Sequence, residues 1–170
     1  DRMHGAEAPR GAGFTSGPPP SRRSVDIDAH RRSDVDHAPD GKSLATGLKV
    51  LIVDDNVDSA ASFAMLCQID GHDVRTAHDG AEGLAFAREF EPDAVFLDIS
   101  LPDMTGYRVA EQMRRLPLLD KALLVAMTGH GDAEHQDRSQ RAGFDHHVVK
   151  PADHSYVKQL LDRRAAACRR

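Results

Sequence analysis

From Leu48 onward the chain alternates, five times over, short apolar runs with stretches of helical period. Strands are predicted over residues 49–53, 73–77, 94–97, 123–127 and 146–149. Between them Ala60, Phe63, Ala64 and Cys67 share one helical face, as do Ala81, Leu84 and Ala85, then Val109, Ala110 and Met113, and finally Val157, Leu160 and Leu161. Asn56, Asp79, Thr105 and Asp153 stand at helix N-cap positions, Gly71 at a C-cap, and Pro92 just past a helix end. The segment 132–142 is polar and the least amphipathic of the predicted helices. Such an alternation implies an α/β fold, a parallel sheet with helices on both faces. "VLIV", "AVFL" and "LLVAM" are apolar throughout and read as covered on both sides, whereas "DVRTA" alternates like an edge strand. That pattern matches a doubly wound five-stranded sheet of order 2-1-3-4-5, whose ligands bind beyond the carboxyl ends of the strands.

The residues that follow the apolar runs are therefore the ones to compare. "VLIVDDN" ends in Asp54 and Asp55, the third run ends before Asp98, the fourth before Thr128 and Gly129, and the fifth before Lys150 and Pro151. Taken singly, each is an ordinary turn signal. Together they bring three carboxylates, a hydroxyl and an ammonium to one rim. Three close acids repel unless a cation joins them, and hard oxygen donors with room for water favour Mg²⁺. No histidine or serine is placed as a nucleophile, so the arrangement points to an attacking carboxylate, with Mg²⁺, Lys150 and Thr128 neutralising a transferred phosphoryl group.

At these residues the chain resembles the receiver domains of two-component response regulators. "VLIVDDN" is similar to their acidic pair, "VFLDISLPDMTGY" to their phosphoacceptor segment, "VAMTGH" to their switch threonine and "AGFDHHVVKP" to their lysine segment. The resemblance covers residues 48 to about 165. It implies a flavodoxin-like doubly wound fold, and Asp98 as acceptor of a phosphoryl group from a histidine kinase or histidine phosphotransfer domain. It further implies Mg²⁺ bound directly by Asp55 and Asp98, through water by Asp54, and by the Ser100 carbonyl, with Thr128 and Lys150 on the phosphoryl oxygens. Two positions depart from the pattern. His147 replaces the usual Tyr or Phe three residues before the lysine, and Gly129 stands where Ala is common. His147 is expected to act as the mobile switch residue with Thr128, and to make signalling pH-sensitive because burial disfavours a charged imidazole. The alternative is a ring that stays on the surface in every state.

Composition narrows the remaining possibilities. Residues 1–46 hold five of the nine prolines and no apolar period, and are expected to be a disordered tail or linker that contributes nothing to folding. The receiver-like domain is expected over 47–166, with 167–170 as a short tail. The whole formal charge of −5 falls on residues 47–170, which makes direct nucleic-acid binding a poor expectation. Cys67 and Cys168 suggest no disulfide framework, as in a reducing cytoplasm, and no apolar run is long enough to span a bilayer. The ten histidines show no Zn spacing. "GFDHHVVKPAD" and a start at Asp1 rather than Met resemble the receiver of a hybrid histidine kinase, with a stand-alone regulator as the alternative and an unknown output partner. The domain is expected to be a phosphoacceptor rather than an enzyme. From chemistry alone the runner-up is a haloacid-dehalogenase-type phosphohydrolase, but that family carries D-x-D after its first strand, where this chain has adjacent acids.

Overall fold

The computed structural model describes residues 47–129 and 133–170. The tail expected over residues 1–46 lies outside them. Each apolar run forms a strand and each periodic stretch a helix: β1 Lys49–Val53, α1 Val57–Ile69, β2 Asp73–Ala77, α2 Gly80–Phe90, β3 Ala94–Asp98, α3 Gly106–Arg114, β4 Leu123–Thr128, α4 Ala133–Ala142, β5 His146–Val149 and α5 His154–Cys168. All strand pairs are parallel, in the order β2-β1-β3-β4-β5. The edge reading of β2 holds, since its side chains alternate between exposed and half-buried until Ala77.

The expected caps form as well. Asn56, Asp79, Thr105 and Asp153 each accept a hydrogen bond from the backbone N–H three residues on. Gly71, at φ +91°, follows the α1 cap Asp70 and lets the chain reverse, so that the His72 N–H returns to the Cys67 carbonyl.

Two apolar layers flank the sheet. Leu51, Val53, Leu97 and Ala126 face Leu84 and Ala87 of α2, Val109 and Met113 of α3 and Ala142 of α4. Val50, Ile52, Phe96 and Val125 face Ala60 and Cys67 of α1 and Leu160 and Leu161 of α5. Burial, and then Asp70, push the Cys67 thiol up to about 12, so this cysteine is an inert core residue.

Three sequence expectations are corrected. The buried face of α2 is Gly80, Gly83, Leu84, Ala87 and Phe90, while Ala81 and Ala85 are exposed. Counting apolar side chains misses it, because Gly83 brings the helix onto β1: a methyl there would lie 3.0 Å from Val53 Cγ2. Strands β3 and β4 each run one residue further than their apolar runs and include Asp98 and Thr128. Both polar side chains are bonded in place, so the ladder can continue through them.

Parallel register then brings the strand ends level. Val53 pairs with both Ala77 and Leu97, Asp98 with Met127, and Thr128 with Val149. The chain returns from β3 to α3 through a loop closed by a Ser100–Thr105 bridge and by the Gly106 N–H on the Ile99 carbonyl at 2.8 Å. This closure needs glycine, since a Cβ at 106 would stand 2.3 Å from the Asp98 carbonyl oxygen and 2.7 Å from Ile99 Cα. Gly106→Ala is predicted to destabilise the domain by about 2–3 kcal/mol. A lower urea midpoint with an unchanged slope is the expected reading.

Candidate functional site

Strand alternation decides which side chains meet at the carboxyl rim. Asp98 follows Phe96 on the α1/α5 face, whereas Thr128 follows Ala126 on the α3/α4 face. On the first face Asp54 and Asp98 are almost enclosed, at 1% and 6% exposure, while Asp55 is exposed. One carboxylate oxygen from each of Asp54, Asp55 and Asp98 falls within 4.8 Å of the other two.

Each acid is held by its own chain neighbourhood. The Asp54 N–H extends the β1–β2 ladder by donating to the Ala77 carbonyl at 3.0 Å. Its carboxylate accepts from the Asn56 N–H at 3.0 Å and the Ser59 hydroxyl at 3.3 Å. The Asp98 carboxylate accepts from the Ser100 N–H at 2.8 Å. From the far side Lys150 donates its ammonium to Asp54 at 2.7 Å and to Asp98 at 2.6 Å. Its backbone N–H is anchored on the Thr128 carbonyl at 2.7 Å. Burial opposes the charge on Lys150, but the hydrogen bonds and fields of Asp54 and Asp98 outweigh it and hold its pKa above the ordinary lysine value.

One ammonium among three carboxylates leaves a formal excess of two negative charges. A hard divalent cation on oxygen donors fits that balance. Asp54, Asp55 and Asp98 are thus the residues able to hold one, with the backbone at Ser100 beside them.

On the opposite face the Thr128 hydroxyl meets His147 Nε2 at 2.7 Å. His147 pairs with Ala126 across β4–β5, which puts its ring on the same face as Thr128 and makes it half-buried. The residues selected from sequence thus fall into two groups: Asp54, Asp55, Asp98 and Lys150 in one cluster, Thr128 and His147 in a second. Sequence reasoning passed over the supports of the first cluster. Ser59 holds Asp54, and His78 Nδ1 lies 3.0 Å from the Asp54 carbonyl. The first spans five residues of the β1–α1 turn, and the second joins segments far apart in the chain with no local signature.

A largely buried acidic cluster at the carboxyl rim of a 2-1-3-4-5 sheet, met by the lysine that follows the last strand, is the arrangement of a receiver-type signalling domain. Residues 50–162 match the model of the response regulator receiver domain, and the chain belongs to that family. It is 34% identical over 122 residues to the transcriptional regulatory protein PrrA of Mycobacterium leprae, with 69% of this chain and 52% of that protein covered. It is 30% identical over 139 residues to hybrid signal transduction histidine kinase L of Dictyostelium discoideum, with 78% of this chain and 8% of that one covered. Among solved structures, the chemotaxis response regulator CheY4 of Vibrio cholerae matches with a TM-score of 0.65 at 27% identity, over 69% of this chain and 98% of that one. The chain thus spans about half the length of the transcriptional regulators it matches. Receiver domains take phosphoryl groups from histidine kinases or phosphotransfer domains and bind Mg²⁺ at their acidic pocket. Among the described residues no helix is long and apolar enough to cross a membrane.

Because Lys150 offsets charge on both Asp54 and Asp98, Lys150→Met is predicted to destabilise the domain by about 1–3 kcal/mol in the presence of a chelator. Millimolar Mg²⁺ should restore part of that loss, since it binds only the folded cluster. Thermal melts of parent and variant, with and without Mg²⁺, check both statements.

Proposed function

We propose that this domain accepts a phosphoryl group on Asp98 from a phosphohistidine of a histidine kinase or histidine phosphotransfer domain, and changes conformation in response. The observation that carries the reading is the Asp54–Asp55–Asp98 cluster with Lys150 bonded to two of its members. An Asp98 carboxylate oxygen forms the new bond to phosphorus as the P–N bond of the donor breaks, and the electron pair stays on the departing imidazole nitrogen. Mg²⁺, held by Asp55, Asp98, the Ser100 carbonyl and, through water, Asp54, would supply charge neutralisation for the transferred group. Lys150 then exchanges its bond to Asp98 for one to a phosphoryl oxygen.

Supporting a protein donor is the exposed apolar surface of α1. Val57, Met65, Leu66 and Ile69 all stand in solvent on the helix that begins at the acidic loop. A docking helix would cover such side chains. Hybrid histidine kinase context is the arrangement we assign, as in the Dictyostelium relative, with the domain on the cytoplasmic side. The transcriptional-regulator relatives make a separate response regulator the alternative, and the full reading frame of the parent gene decides between them. No direct contact with nucleic acid is proposed for this segment.

Incubation with acetyl phosphate and Mg²⁺ is expected to add one phosphoryl group by intact mass, and Asp98→Asn to abolish the addition. Unchanged labelling of the variant would remove Asp98 from the role of acceptor.

For the switch, Thr128 must release the His147 imidazole before its hydroxyl can reach a phosphoryl oxygen. Beryllofluoride, a phosphoryl mimic, is therefore expected to move the ¹⁵N resonance of His147 Nε2. A resonance that stays in place would exclude His147 from the switch.

A further inference from the structure

Asp55 reaches the site from the loop after β1, and Asp98 from the last position of β3, where the loop that carries Ser100 begins. Strand register fixes Val53 against Leu97, but Asp55 and Ser100 each lie two residues past the end of a strand. A third segment, the corner between β2 and α2, touches both loops. On one side His78 Nδ1 donates to the Asp54 carbonyl at 3.0 Å, within the acidic loop. On the other side Asp103, on the loop that follows Asp98, accepts from the N–H groups of Gly80 at 2.8 Å and Ala81 at 2.9 Å, one on each carboxylate oxygen.

The corner itself is tied together. The His78 N–H donates to Glu82 at 2.7 Å, and the Glu82 N–H donates to the Asp79 side chain at 2.7 Å. A second, apolar contact closes on the same point. A Cβ at Gly80 would stand 2.6 Å from Met104 Cγ and 2.8 Å from Val109 Cγ2, so the acceptor loop is seated directly on the first residue of α2. These backbone donors, that of Gly80 first, also hold the exposed Asp103 carboxyl below the usual carboxylate range.

We propose that the β2–α2 corner braces the two acidic loops at a fixed spacing, with Asp103 and His78 as positioning residues for the phosphoacceptor site. The inference rests on the reading of Asp55 and Asp98 as ligands of one cation. Neither Asp103 nor His78 touches the reacting groups. Asp103 fixes the pitch of the loop that presents the Ser100 N–H to Asp98, and His78 fixes the carbonyl that precedes Asp55. The N-terminal amides of α2 are thereby used inside the chain, by an anion of the chain's own.

The test uses the full chain. Mg²⁺ affinity is measured by calorimetry, and hydrogen exchange of the Ser100 amide by NMR in the metal-free protein. Asp103→Ala is expected to weaken Mg²⁺ binding by about tenfold, the lower range for loss of a support behind a metal ligand. It should also speed Ser100 exchange by at least about tenfold, since the loop opens locally more often. Asp103→Asn keeps one acceptor oxygen and should fall between parent and Asp103→Ala. His78→Ala should weaken Mg²⁺ binding too, with partial rescue by His78→Asn, whose amide N–H stands in for Nδ1. A core variant far from the corner, Leu161→Val, should lower the melting temperature and leave both readings alone.

Parent-like Mg²⁺ affinity and Ser100 exchange in Asp103→Ala, whatever its melting temperature, would overturn the brace. If the parent itself bound no Mg²⁺, the metal reading of the acidic cluster would fail, and Ser100 exchange alone would decide the brace.

Discussion

The ammonium of Lys150 between Asp54 and Asp98 is the contact on which the rest of the rim depends. Two carboxylates that are almost fully enclosed would repel each other and lack solvation without a cation between them. Lys150, just past the last strand β5, reaches across β4 to the ends of β3 and β1, so the site is complete only when those four strands have assembled. Fold and site are for this reason one construction. In the proposed reaction the same contact is chemically provisional, since an ammonium bonded to Asp98 is positioned to follow a new anion formed there.

Much of this construction is legible in the sequence because the fold is periodic. Apolar runs of four or five residues fix where strands end, and the acids, the threonine and the lysine each follow such a run directly. Parallel register then makes the ends coincide, which is why Asp54, Asp55, Asp98 and Lys150 assemble as expected. Less visible is which face of the sheet each one takes. Asp98 and Thr128 lie at the ends of adjacent strands, yet alternation turns them to opposite faces, and Thr128 meets His147.

The parts that were not legible rest on backbone groups and on glycine. The α2 face escapes a count of apolar residues because two of its buried positions are glycines. Helix α4 forms from a polar sequence, burying Ser139 and Ala142. Asp103, His78 and Ser59 reach partners outside their own elements, and three of those four partners are main-chain atoms that have no signature in the sequence. A chain read residue by residue shows which groups carry charge. It does not show which amides and carbonyls will hold them in place.

The central claim is the proposal that Asp98, rather than Asp54 or Asp55, is the group that forms an acyl phosphate. Borohydride reduction of the phosphorylated chain, followed by peptide mass mapping, tests it most directly, because reduction converts an aspartyl phosphate to homoserine and marks its position permanently. The account predicts homoserine at position 98 alone. Homoserine at position 54 or 55, with Asp98 unmodified, would contradict it.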